Sequence, residues 1–319
     1  MNLLEEREYY KPFVYPWAFE KYKKQQQMHW LPDEVPLQDD IKDYNQKLSA
    51  DERLLIDNIF RFFTQADVDV CCGYAKHYLP TFKQPEIRMM LVSFAAMEAV
   101  HQEAYSLLLE TLGKSDDMYQ EFFDIQAMSD KHDYLTDFSM KTKHDIAKTM
   151  AVYSGFTEGV QLFSSFAILL NYPRHNLMKG MGQIVTWSIR DESLHVEGLS
   201  ELFRTFMREN PELWTDKLKY EIYCAAERTV ELEDNFIDVC FNKVTVPDLT
   251  AREVKEYIRY IADRRLLGLG MKAIFKSTVN PLPWIDMQVN AVEHTNFFEN
   301  RATEYAKAST QGNWQDVFK

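Results

Sequence analysis

The 319-residue sequence predicts an all-α protein, and three observations carry that expectation. Ten Gly and 11 Pro are too few for the closely spaced turns of a β-sandwich or barrel. Apolar residues recur at i, i+3, i+4 and i+7 over several long stretches, with no alternating strand pattern to compete for the core. Residues that start and stop helices bracket those stretches. With 46% hydrophobic residues, the chain can bury a large core.

Taken in order, residues 1–48 read as an N-terminal arm, rich in Tyr, Trp, Lys and Gln and interrupted by Pro16, Pro32 and Pro36 without a sustained period. A helical domain is expected over 49–300. Ser49 and Asp51 are candidate caps for its first helix, whose Leu55, Ile59, Phe60, Phe63, Asp67, Val70, Cys71 and Tyr74 follow one face until Pro80 ends it. Pro85 opens a second helix that Gly113 stops. A long pattern from about His144 is expected to stop before Pro173, followed by helices at roughly 174–210, 211–242 and 250–275. Residues 301–319 are polar until Trp314 and Phe318, which suggests a flexible tail with an adhesive end.

Charge and composition exclude several roles. A formal charge of −13 without a Lys/Arg cluster argues against nucleic-acid or anionic-membrane partners. The N-terminus MNLLEEREYY has acids where a signal peptide would be basic, and no apolar run approaches the roughly 20 residues that span a bilayer, so a cytoplasmic location is expected. Four Cys without a CxxC pair read as reduced core residues.

The chemistry is carried by polar residues on apolar faces. In SFAAMEAVHQEAYSLL, Glu98, His101 and Tyr105 share one helical face, whereas Glu103 lies about 140° round from Glu98 and can reach solvent. A buried, unpaired carboxylate costs several kcal/mol, so Glu98 needs compensation. A second E-x-x-H, Glu192 and His195, stands in TWSIRDESLHVEGL. Two such matches prove little alone. Glu158, however, is the one acid between Asp145 and Asp191, on a stripe with Ala151, Ser154, Leu162 and Phe166. Asp67 likewise continues the stripe of Phe60 and Phe63, while Asp69, about 160° away, is expected to be solvated. Four helices thus supply carboxylate, E-x-x-H, carboxylate and E-x-x-H, the inward-facing set of a dinuclear metal–carboxylate site in a four-helix bundle. Hard oxygen donors with two imidazoles suit iron or manganese better than structural zinc.

Those residues, with MHWLPDEVPLQDDIKDY, FTQADVDV, TEGVQLFSSF, RDESLH and NFFENRATEY, give a sequence that resembles the small, radical-generating (β) subunit of class I ribonucleotide reductase along most of its length. The resemblance implies a ferritin-like homodimer whose metal pair, ligated by Asp67, Glu98, His101, Glu158, Glu192 and His195, activates oxygen or a reduced oxygen species and oxidises Tyr105 to a radical. A diiron pair is expected, with dimanganese or mixed manganese–iron pairs as alternatives. Trp30 and Asp191 would link His101 toward the surface, and Tyr305 would relay the radical to a large catalytic subunit, onto which the tail docks. A flavoprotein or ferredoxin could serve as activator. Around Tyr105, Leu162, Phe166 and Ser188 suggest a slightly polar pocket.

The competing readings are a ferritin-like oxidase or hydroxylase acting directly on a small substrate, and an iron-storage or structural bundle. The first has no use for Trp30, Asp191 and Tyr305. Storage proteins of this fold are usually much shorter, and a structural bundle would not keep six polar groups on its inner stripes.

Overall fold

A computed structural model describes residues 2–289 apart from 137 and 243, and among these no strand occurs. The arm holds more helix than its aperiodic sequence suggests: Pro16 opens α1 (Pro16–Gln27), Pro32 opens a 3-10 turn (Pro32–Glu34), and α2 (Gln38–Gln46) follows. Ser49, not Asp51, caps α3 (Ala50–Gly73), accepting the Glu52 amide while the Glu52 carboxylate takes the Ser49 amide in return. The chain then passes through a π-helical turn (Tyr74–Tyr78) into the single turn α4 (Leu79–Thr81). Pro80 therefore lies inside this last turn, at a first-turn position where a missing N–H costs little. Pro85 opens α5 (Pro85–Thr111), and Gly113, at φ 78°, closes it in the left-handed conformation.

A 3-10 stretch (Asp116–Asp124) and α6 (Gln126–Thr136) lead to α7 (Lys143–Val152), started by a Thr142–Asp145 capping box. The expected continuous helix from His144 is broken. A second π turn (Tyr153–Thr157) runs into an irregular segment at 158–162 before α8 (Phe163–Arg174), which reaches one residue past Pro173. Three long helices complete the body: α9 (Lys179–Glu209), α10 (Asp216–Phe241) and α11 (Ala251–Gly268). The last is shorter than expected because Gly270, at φ 80°, turns the chain, and the Asp263 carboxylate then takes the amides of Ile274, Phe275 and Ser277 at 2.9 Å each.

Helix α5 packs on α3, α1 and α9, and α9 also packs on α7 and α8. The arm adds apolar residues such as Tyr15, Trp30 and Tyr44 to the core without a regular period, and charged side chains tie it in further. Glu86 on α5 pairs with Arg7 and accepts the amides of Val14 and Tyr15 at 2.7 and 2.9 Å. Asp40 on α2 accepts the Gly180 and Met181 amides, and Asp43 accepts that of Met178, which satisfies the open N-terminus of α9. Of the four free cysteines only Cys240 is in the core; Cys72 is exposed and the other two are partly buried, so the expectation of four core residues fails. Among the described residues no helix is long and apolar enough to cross a membrane. The proposed tail, 301–319, lies outside the described residues.

Candidate metal centre

The six predicted ligands converge from four segments. Asp67 comes from α3, Glu98 and His101 from α5, Glu158 from the break between α7 and α8, and Glu192 and His195 from α9; each is fully buried or at 1% exposure. They form two overlapping groups, Asp67–Glu98–His101 and Glu98–Glu158–His195, with candidate ligand atoms within 4.8 Å of one another in each. Glu98 belongs to both: its two oxygens lie 3.4 Å from His101 Nδ1 and 2.9 Å from His195 Nδ1. Glu192 is also shared, at 3.5 and 3.7 Å from the same two nitrogens. Glu103 is exposed as expected, and so is Glu197 on the opposite face of its helix from Glu192.

Behind each histidine stands a partner that fixes which nitrogen faces inward. His101 Nε2 meets Asp191 Oδ2 at 3.2 Å, and Trp30 Nε1 donates to the same oxygen at 2.8 Å. His195 Nε2 meets Gln25 Oε1 at 3.2 Å, while Gln25 Nε2 donates to Asp191 Oδ1 at 3.3 Å. Both Nδ1 atoms are thereby directed into the site. Gln25 was invisible in the sequence, one Gln of a polar run on a helix without an apolar stripe. Asp69 is a correction: it is not solvated but pairs with His132 of α6 at 2.5 Å, because α6 packs on that face of α3.

Tyr105 lies one turn beyond His101, at 1% exposure, with 6.2 Å between the ring centroids. Phe63 stacks on it at 5.0 Å, Phe60 lies at 5.6 Å, and Phe166 packs behind Phe63. Its hydroxyl donates to Ser188 Oγ at 2.9 Å, and Ser188 donates to the Ile184 carbonyl at 3.0 Å. The polar character expected of this pocket is therefore that one hydrogen bond. On the Glu158 side stands a different aromatic group, in which Tyr74 packs on Tyr153 and Tyr78 at 5.7 and 5.8 Å.

Burial dominates the electrostatics. It pushes Asp67 and Glu158 well above the usual carboxylate range, and neighbouring carboxylates push the same way. Burial acts against Glu192 too, yet the two histidines beside it outweigh burial and hold this group low. His101 and His195 are pushed down by burial but raised overall, His101 by Tyr105 and its acidic partners, His195 by Glu192 and Glu98. Asp191 also resists burial, and the His101 bond holds it below the carboxylate range. Burial, then Asp67, push the Tyr105 phenol up.

Both oxygens of Asp67, Glu98 and Glu158, one of Glu192 and the Nδ1 atoms of both histidines are buried without a hydrogen-bond partner. So many orphaned donor atoms facing one another are costly unless cations sit among them. Four carboxylates and two imidazoles fit a pair of hard or borderline metal ions.

Comparison with known proteins agrees with this chemistry. Residues 7–281 match the family model described as ribonucleotide reductase, small chain. A probable ribonucleoside-diphosphate reductase small subunit of Invertebrate iridescent virus 6 is 46% identical, over 100% of this chain and 99% of its own. The ribonucleoside-diphosphate reductase subunit beta of Chlamydia pneumoniae is 33% identical over 93% of this chain and 89% of its own. Among solved structures, the dimanganese(II)-NrdF of Streptococcus sanguinis superposes with a TM-score of 0.76 at 23% identity, covering 88% of this chain and 99% of that one.

Proposed function

The chain belongs to the ribonucleotide reductase small-chain family, as a class I β subunit of ribonucleoside-diphosphate reductase, and from that premise we propose how its own residues serve the reaction. Small subunits of this family bind a dinuclear metal centre, act as homodimers and partner a large subunit. We propose that Asp67, Glu98, His101, Glu158, Glu192 and His195 hold the pair, with Glu98 and Glu192 placed to be shared between the two positions. Iron is the proposed occupant. The dimanganese content of the streptococcal protein is the reason to assay a manganese or mixed pair beside it.

When bound, the metal pair supplies the capacity to reduce dioxygen, or a reduced oxygen species provided by a flavoprotein or ferredoxin activator, and to draw one electron from Tyr105. The protein's part is to manage the electron and proton of that phenol. Ser188 accepts the Tyr105 hydrogen bond, and Phe60 and Phe63 keep water from the ring, as a long-lived radical requires. The line His101–Asp191–Trp30 is an unbroken hydrogen-bonded route from the centre toward the arm and is the proposed path of the radical. Tyr305, outside the described residues, is the proposed next station, and docking of residues 301–319 on the large subunit would bring it between the two redox sites. A synthetic peptide of residues 310–319 should then inhibit the intact pair by competition; no inhibition would remove the docking role.

The observation that carries this reading is the placement of Tyr105 and the Asp191–Trp30 pair on the same histidine. A direct-acting oxidase would need the metal ligands alone. Electron paramagnetic resonance of the metal-loaded, oxidant-exposed protein tests it. The native chain should give a tyrosyl signal, and Tyr105→Phe should give none while keeping its fold and metal content. A tyrosyl signal undiminished in the variant would place the radical elsewhere.

A further inference from the structure

The segment that carries Glu158 is not helical, and its backbone is held by side chains from distant helices. After the π turn, the Glu158 amide reaches back to the Tyr153 carbonyl, and the amides of Val160 and Gln161 share the Phe156 carbonyl. The Phe163 amide goes to Val160 rather than to Gly159, as a continuous α-helix would require. Arg265 of α11 takes up the Gly159 carbonyl instead, donating from Nε at 2.9 Å with its guanidinium over the Phe163 ring. Two residues on, the Gln161 carbonyl accepts Lys131 Nζ of α6 at 2.8 Å. Lys131 is completely buried, pairs with Glu233 of α10 at 2.5 Å and lies over the Phe62 and Phe236 rings. Ser164, at the start of α8, donates to that same Glu233.

Gly159 completes the arrangement, because a Cβ there would collide with the Gly155 carbonyl oxygen and the Arg265 side chain. Thus two cations from separate helices converge on two carbonyls of the five-residue break that begins with a ligand. Asp67, Glu98, His101, Glu192 and His195 stand on regular helices and need no such support.

We propose that Lys131 and Arg265 are positioning residues for Glu158: by clamping the Gln161 and Gly159 carbonyls they fix the broken segment, and so set the affinity of the metal position formed by Glu98, Glu158 and His195 without altering that of Asp67, Glu98 and His101. The inference rests on the ligand reading given above.

Manganese(II) titration of the full chain, followed by electron paramagnetic resonance and by counting bound ions, tests it. The native protein should bind two ions per chain with a spin-coupled spectrum. Arg265→Met should bind the first ion normally and the second at least about tenfold more weakly, leaving the six-line spectrum of an isolated ion. Arg265→Lys, which restores a cationic donor, should recover coupling. Lys131→Met alone strands Glu233 and can cost the fold, so Lys131→Met/Glu233→Leu is the companion variant, and it should show the same selective loss. Two tightly bound, coupled ions in both Arg265→Met and the double variant would overturn the proposal. So would equal loss at both positions, the mark of general unfolding. Glu158→Ala separates the premises: if it still binds two coupled ions, Glu158 is no ligand and the inference falls for that reason alone.

Discussion

The two halves of the candidate metal centre are built on unlike backbone. Asp67, Glu98 and His101 stand on α3 and α5, two regular helices that pack against each other over much of their length. The other half takes Glu158 from the break that follows a π turn, steadied by side chains of α6 and α11. Their surroundings differ as well. Beside His101 lie Tyr105 and the Asp191–Trp30 pair, whereas beside His195 and Glu158 lie Gln25 and the Tyr74–Tyr153–Tyr78 group. A regular helix fixes a ligand by its own hydrogen-bond ladder and tolerates little movement. An interrupted one lacks that ladder and has to be held by side chains from elsewhere, here Lys131 and Arg265. One half of this site is therefore held by local backbone structure and the other by tertiary contacts.

The comparison can be broken most forcefully at a residue both halves share. Glu192→Ala should abolish tight metal binding, since this carboxylate faces both histidines, while Glu103→Ala and Glu197→Ala should keep about two ions per chain as the family's dinuclear site requires. Equal losses in all three, measured by metal analysis after desalting, would refute the assignment of faces. A smaller and more selective effect is expected behind the histidines. Asp191→Asn and Gln25→Leu should each weaken metal affinity about 10-fold or more, but only Asp191→Asn interrupts the route to Trp30. At saturating metal, Gln25→Leu should retain turnover with the large subunit and Asp191→Asn should lose it. Identical turnover in the two variants would mean the route is not used.

The smallest effect concerns pH. In the metal-free fold Asp67 and Glu158 hold protons over a range where the unfolded chain has released them. The folded state thus binds more protons, and its stability falls as pH rises above about 4 toward the raised values. His101 and His195, raised also, contribute stability that is full below about 6.5 and lost as pH rises through their folded values. Metal displaces these protons, so the gap in melting temperature between metal-bound and metal-free protein should widen as pH rises above about 4. Thermal melts with and without metal check this, and a constant gap would show that the protons are already absent.

Much of this site was legible because its candidate ligands lie on stripes. Helical period alone separates Glu98 from Glu103 and puts Asp67 on an apolar stripe, and the burial of these two carboxylates is enough to suggest a compensating ion. The fold class followed from the same periodicity. Three features escaped it. The α1 and α2 helices lack a sustained apolar period, and polar contacts such as the Arg7–Glu86 pair and the Asp40 carboxylate on the Gly180 amide help to hold the arm. The break at Glu158 was hidden because the apolar pattern continues through it. Asp69 was misread because a solvent-facing angle on one helix can still meet a neighbour, here His132.

Residue order alone was enough to name the candidate ligands, to make the body helical and to require a partner for the buried carboxylates. Those are local properties, set by period and by the cost of desolvating charge. It took the packed helices to show that Glu98 and Glu192 face both histidines, that Gln25 stands behind His195, and that Lys131 and Arg265 hold the carbonyls beyond Glu158. Such contacts join residues up to 170 positions apart. No periodicity encodes them, because they depend on how whole helices pack and on which polar atoms that packing leaves to be satisfied.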